Sequence, residues 1–193
     1  MNEFLRIISI DPGSVNLGLC VADVSANTFK PVNIITDNVQ PPKLPLVDFY
    51  ANMDVDNTEY KLAALGNFCY RIFTEQGPHI LALESSFYNV KRPSAFKSLL
   101  NTVSYIEHAF YRFNPFGIVL EFSPHEIKRN INSKGHKKED VKEALINMPE
   151  IISAMNKPIE ECTEHEIDAI SVLISACGET RKQNGLKLWL NRA

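Results

Sequence analysis

The sequence predicts a mixed α/β fold in which one five-stranded sheet is flanked by helices. Two observations lead to this prediction. Three short apolar strands follow one another within the first 36 residues, which is typical of antiparallel pairing. From residue 58 onward, short strands alternate with segments whose apolar residues repeat at helical spacing, which is typical of parallel strands joined through helices.

The first predicted strand, 5–11, ends on a carboxylate. Its β-branched residues lead into Asp11, a Pro-Gly turn and a second apolar strand over 16–24. A carboxylate at the end of a buried strand costs about 2–7 kcal/mol unless it is paired, hydrogen-bonded or bound to a metal. Asp11 therefore either caps its own turn or belongs to a polar site.

A third strand is predicted over 31–36, and 37–57 is interpreted as a surface insertion. Three prolines exclude regular structure from its first part: Pro41, Pro42 and Pro45. A helix follows over 58–75, and the strand after it, 79–84, again ends on a carboxylate, Glu84.

The next helix, 94–113, carries a wide apolar stripe that packs on its own sheet or serves a second chain. The stripe consists of Phe96, Leu99, Leu100, Val103, Ile106, Phe110 and Phe113. A strand is predicted over 116–122. Capping boxes beginning at Ser123 and Thr163 predict the starts of two later helices, the second ending near Cys177-Gly178.

Composition indicates a single globular domain over 1–193, because the chain is 45% hydrophobic and 22% charged. The cysteines are scattered and mostly lie in apolar stretches, so we expect buried thiols in a reducing, intracellular compartment. They are Cys20, Cys69, Cys162 and Cys177. The sequence shows neither a signal peptide nor an apolar span near twenty residues, so no membrane association is expected.

One segment departs from the acidic balance of the chain, whose net charge is −3. Between Lys128 and Lys142 six basic residues stand against two acidic ones. The basic residues are Lys128, Arg129, Lys134, Lys137, Lys138 and Lys142. Such a run is either a solvated face or a patch that binds phosphate.

The last predicted helix carries a third acidic cluster. With Thr163 as N-cap, Glu166 is explained by the capping box, whereas His165 and Asp168 lie three residues apart on one helix face. Taken alone, this pair fits a structural histidine beside a solvated aspartate as well as it fits a metal site.

Together, the three acidic elements predict a metal centre. Asp11 and Glu84 end two strands, and His165 and Asp168 add two donors from one helix. This mainly oxygen donor set suits Mg²⁺, with Mn²⁺ as a substitute, better than zinc. Two such ions about 3.5–4 Å apart can activate a water and stabilise the leaving oxygen of a phosphodiester.

Four stretches, in order, resemble the RuvC-type Holliday junction resolvases of the RNase H-like nucleases. The first alone is shared with sugar-kinase and actin-like ATPases, but the ordered set is specific. The stretches are Ile10-Asp11-Pro12-Gly13 with Gly18; Leu83-Glu84-Ser85-Ser86-Phe87; Ser123-Pro124-His125-Glu126-Ile127-Lys128 running into Lys134-Gly135-His136-Lys137-Lys138; and His165-Glu166-Ile167-Asp168-Ala169-Ile170.

The resemblance implies roles for individual residues. Asp11, Glu84, His165 and Asp168 would bind two metal ions, and Phe87 would insert at the unpaired centre of a junction. Lys128 and Lys138 match basic positions near the scissile phosphate, with Lys138 assigned to catalysis. The loop between them is one residue shorter than the family pattern, which leaves the register of Lys137 against Lys138 open. The implied DNA contacts are Phe87, Lys128, Arg129, Lys134, Lys137 and Lys138.

The function implied is metal-dependent cleavage of four-way or branched DNA by an RNase H-like homodimer. No small-molecule cofactor is expected, and the protein is expected in the cytoplasm or wherever in the cell the DNA is replicated. A two-fold dimer suits a symmetric junction, which has two strands to cut. The alternatives are another RNase H-like nuclease, acting on RNA or a different branched substrate, and a non-catalytic branch-binding protein. The long insertion at 37–57 suggests a phage or viral branch of the family.

Overall fold

In the computed structural model, residues 4–13, 16–40, 57–86, 93–135 and 137–183 are described. Phe87 and most of the predicted insertion lie outside the described residues, so their predicted roles remain predictions.

Within the described ranges, five strands form one mixed sheet in the order β3-β2-β1-β4-β5. Strands β1 to β3 pair antiparallel, whereas β1 pairs parallel with β4 and β4 parallel with β5. The predicted sheet is therefore confirmed. The strands are β1 (Phe4–Asp11), β2 (Leu17–Ser25), β3 (Pro31–Val39), β4 (Ile80–Glu84) and β5 (Ile118–Phe122).

Strand β3 is longer than predicted. Asp37, Asn38 and Val39 pair with β2 and so belong to the sheet rather than to the insertion. The three prolines that suggested irregular structure all come after this stretch, and the pairing with β2 continues until just before them.

Helices cover both faces of the sheet. The described helices are α1 (Asn57–Gln76), α2 (Pro93–Phe113), α3 (Pro124–Asn130), α4 (Lys138–Ile146), α5 (Pro149–Ala154) and α6 (Glu164–Gln183), with a 3₁₀ turn at Ile159–Glu161 before α6. A hydrophobic core lies on each face, and successive side chains of β1 point into them alternately. Ile7 packs with α6 on one face, and Ile8 packs with α1 and α2 on the other. None of the described helices is long and apolar enough to cross a membrane.

The apolar stripe of α2 faces inward over much of its length. Val103 is only 3% exposed, and Ile106 and Phe110 are fully buried against α1 and the sheet. Val103 therefore cannot contact a second chain. Leu100, by contrast, is 43% exposed on the outer side of the helix.

The last helix continues past its predicted end at Cys177-Gly178 and reaches Gln183. Thr180 lies buried in this extension and donates a hydrogen bond from Oγ1 to the carbonyl of Ala176 at 2.7 Å. A helical glycine costs roughly 1 kcal/mol relative to alanine. Burial of the residues around Gly178 offsets that cost, so the glycine does not end the helix.

Candidate active site at the carboxyl end of the sheet

Two neighbouring parallel strands deliver two carboxylates to the same edge of the sheet. Ile10 of β1 stands opposite Leu83 of β4, and the next residue of each strand is acidic. Asp11 and Glu84 therefore end adjacent strands side by side, as their positions in the sequence predict.

Helix α6 lies directly on this pair of strands. The buried Ser9 hydroxyl donates to the carbonyl of Ala169 at 2.8 Å. At Gly18, which pairs with Asp11 across the hairpin, a Cβ atom would lie 1.9 Å from the carbonyl oxygen of His165. Only glycine lets the first turn of α6 approach this closely.

The close approach brings the first turn of α6 against the end of β1. His165 Nδ1 lies 2.6 Å from Asp11 Oδ2, across 154 residues of sequence. Thr163 caps the helix, its Oγ1 accepting from the Glu166 amide at 3.4 Å, which sets the direction of this first turn. Capping box and glycine contact together place His165 over the end of β1.

The carboxylates of the site repel one another. Burial, together with the negative charges of Asp11 and Asp168, raises the pKa of Glu84 to about 7. Burial and Asp11 likewise raise the pKa of Asp168 to about 6, although Lys138, His165 and Lys128 oppose the shift. Three acidic groups therefore share one partly buried space.

A cavity of about 210 Å³ opens beside these groups. Two carboxylates and two lysines border it, and apolar side chains and a serine form the rest of its wall. The lining residues are Glu84, Pro124, Ile127, Lys128, Lys138, Val141, Asp168 and Ser171.

The chemistry of the donor set fits a hard divalent cation. As placed, no three His, Cys, Asp or Glu side chains among the described residues converge closely enough to hold one ion. The carboxylates of the site carry like charges and repel one another. A cation would replace that repulsion with attraction and so lower the pKa values of Glu84 and Asp168.

The other two acidic residues of this turn are occupied elsewhere. Glu166, with a side chain 2% exposed, accepts from Lys157 Nζ at 2.5 Å and from the Thr163 amide at 2.8 Å. Burial alone would raise its pKa, but these hydrogen bonds lower it. Glu164 pairs with Lys138. Neither adds an oxygen to the carboxylate cluster.

The predicted basic residues divide into two groups. Lys128 and Lys138 line the cavity, whereas Lys137 is the N-cap residue of α4, its backbone amide donating to Asp140 Oδ2 at 3.0 Å. Lys134 is exposed and lies 3.9 Å from a Glu143 carboxylate oxygen. Of the two neighbouring lysines whose register was open, Lys138 is therefore the one at the cavity. Arg129 is exposed on α3, outside the cavity lining.

Sequence reasoning missed one residue of the site and one contact made by a predicted lysine. Ser171 lines the cavity one turn beyond Asp168, which the helical spacing allows but no motif marks. Glu164 meets Lys138 across 26 residues. No local pattern reports such a long-range pair.

No family model matches the sequence, and no curated protein matches it. Solved structures do. The chain is similar to RuvC of Thermus thermophilus, at 16% identity and a TM-score of 0.68 over 93% of this chain and 97% of that one. It is also similar to T. thermophilus RuvC in complex with Holliday junction substrate, at 14% identity and a TM-score of 0.65, covering 92% and 96%.

The yeast mitochondrial Holliday junction resolvase Ydc2 is similar at 17% identity and a TM-score of 0.57, covering 97% of this chain and 82% of that one. At such identities the likeness shows the fold. The chain has the RNase H-like fold of RuvC-type resolvases, as its four sequence stretches predict.

Proposed function

We propose that the chain is a metal-dependent endonuclease that cuts four-way or otherwise branched DNA, a crossover junction endodeoxyribonuclease. One observation carries the proposal: Glu84 and Asp168 line one cavity with Lys128 and Lys138 at the sheet edge of this fold, and Asp11 lies close enough to raise the pKa of both acids. Proteins of the same fold include RuvC, solved with a Holliday junction substrate. Clustered buried acids beside cations suit phosphodiester chemistry.

Asp11, Glu84, His165 and Asp168 would hold two Mg²⁺ ions, with Mn²⁺ as a substitute. When bound, the ions supply an activated water and stabilise the leaving oxygen. Lys128 and Lys138 border the same cavity, and their positive charges lower the pKa of Asp168. A phosphate entering the cavity would meet two ammonium groups that orient it and neutralise its charge.

Contacts farther from the scissile phosphate would come from the outer basic residues. Arg129, Lys134 and Lys137 are exposed and would bind neighbouring phosphates without reading sequence. On the sequence resemblance, Phe87 would stack at the unpaired centre of the junction.

A two-fold dimer would allow both strands of a symmetric junction to be cut. The exposed side of α2, around Leu100 and Tyr111, is the part of this helix that we assign to the dimer interface, because Val103 is buried within the chain. Leu100→Glu should then give monomers in sedimentation and uncouple the two incisions. Wild-type protein that sediments as a monomer at micromolar concentration, with and without junction DNA, would contradict the dimer.

The test uses three substrates: a synthetic four-way junction, a linear duplex of matched sequence and an RNA/DNA hybrid, each with Mg²⁺ or with EDTA. We expect Mg²⁺-dependent cleavage of the junction, lost in Asp11→Asn and retained in Asp37→Asn, which changes an exposed residue of β3. Preferred cleavage of the hybrid would identify a different RNase H-like nuclease. Tight junction binding with no cleavage in any metal would identify a branch-binding protein.

A further inference from the structure

One lysine of the cavity is held by a carboxylate from outside the acidic cluster. Lys138, the first residue of α4, bonds to Glu164, the first residue of α6. Both side chains are exposed, at 65% and 63%. The ion pair therefore joins the first residues of two helices at the protein surface.

Lys138 also faces the reaction site. It lines the cavity with Glu84 and Asp168, and its positive charge lowers the pKa of Asp168. The ammonium group thus lies between two sets of anions, the acids of the site and the side chain of Glu164. A DNA phosphate that uses Lys138 must compete with Glu164 for it.

We propose that Glu164 is a gate on the cavity: it occupies the place of a phosphate at Lys138 and is displaced when DNA binds. The proposal rests on the proposed function. Displacement is easy because exposed ion pairs contribute little, and because a phosphate can bind a lysine and the nearby start of a helix together. Lys157 and Glu166 make the opposite kind of pair, since their carboxylate is buried and unavailable to exchange.

Competition from Glu164 weakens the binding of any phosphate at Lys138, independently of DNA sequence. Removing Glu164 should therefore tighten binding to junction and linear DNA alike. An exposed ion pair predicts a gain of about two- to five-fold in affinity. The gain should come through Lys138 and not from the general loss of one negative charge.

The experiment measures junction affinity in EDTA, where no cleavage occurs, for five proteins: wild type, Glu164→Gln, Glu161→Gln, Lys138→Met and the Glu164→Gln/Lys138→Met double variant. Glu161 is the matched control because it is exposed, three residues away and equally charged. We expect Glu164→Gln to bind about two- to five-fold more tightly than wild type. Glu161→Gln should stay within about 1.5-fold, and the gain should vanish when Lys138 is Met.

Two results would overturn the gate while leaving the proposed nuclease intact: Glu164→Gln binding like Glu161→Gln, or a gain that persists in the double variant. Wild-type protein that neither binds nor cleaves a junction would overturn the nuclease, and the gate with it. The cleavage assay on wild type therefore separates the two failures.

Discussion

Two acidic residues of helix α6, Glu166 and Asp168, lie two positions apart in opposite electrostatic surroundings. Glu166 is buried with a cation and two donor groups, and its pKa is lowered. Asp168 is half-buried beside other acids, and its pKa is raised to about 6. The pairing of Glu166 with Lys157 stabilises the fold. The like charges around Asp168 repel one another, and a bound cation would reduce that repulsion. In this helix, the charge of the neighbouring groups, and not burial alone, distinguishes the structural acid from the candidate metal ligand.

The largest effect expected from this difference is on activity. Glu84→Gln or Asp168→Asn should reduce Mg²⁺-dependent junction cleavage by more than about 100-fold, because even groups behind the metal ligands contribute 10–100-fold. Glu75→Gln, an exposed change at the far end of α1, is the control for Glu84→Gln. If an amide variant cuts at a rate near that of wild type, the residue concerned is not a ligand.

The structural role of the Lys157–Glu166 pair can be tested by measuring the free energy of unfolding. Lys157→Met leaves Glu166 buried without its cation, and we expect a loss of about 2–4 kcal/mol in urea unfolding at pH 7, since breaking a buried pair is costly. Glu166→Gln in the same chain should recover part of the loss. Equal stability of Lys157→Met and wild type would show that Glu166 is not structural.

The acidic cluster should respond to pH in the opposite sense. The pKa of Glu84 is raised to about 7 in the folded protein, above its value near 4.3 when unfolded, so stability is lost as pH rises through 7 and regained as pH falls. Glu84→Gln should therefore stabilise the metal-free protein by about 1–3 kcal/mol at pH 8 and by almost nothing at pH 4.5. Urea unfolding of both proteins at the two pH values measures this difference. A constant difference would contradict the shift.

The smallest effect is expected at His165. His165→Asp replaces one metal ligand by another, so cleavage in Mg²⁺ should stay within about ten-fold of wild type. The measurement compares cleavage rates with metal binding determined by calorimetry. Complete loss of activity with normal metal binding would instead assign His165 to proton transfer.

Local patterns predicted most of the architecture. Strand and helix periods gave the order of the elements, and the Ser123–Glu126 and Thr163–Glu166 capping boxes both formed. Errors arose where tertiary burial overrode a local signal. Gly178 did not end its helix because neighbouring residues are buried. For the stripe of α2 the sequence left two roles open, and the burial of Val103 against α1 and the sheet favours packing on the chain's own core.

By itself, the sequence determined which acids stand at strand ends and which helices begin with a cap, because these features depend on neighbours within a few residues. Tertiary structure alone decided the long-range partners: Lys157 for Glu166, Glu164 for Lys138, and the backbone of His165 against Gly18. Charge and hydrogen bonding act over a few ångströms of space whatever the separation along the chain. Only the folded chain therefore distinguishes an acid that is paired with a lysine from an acid that lies among other acids.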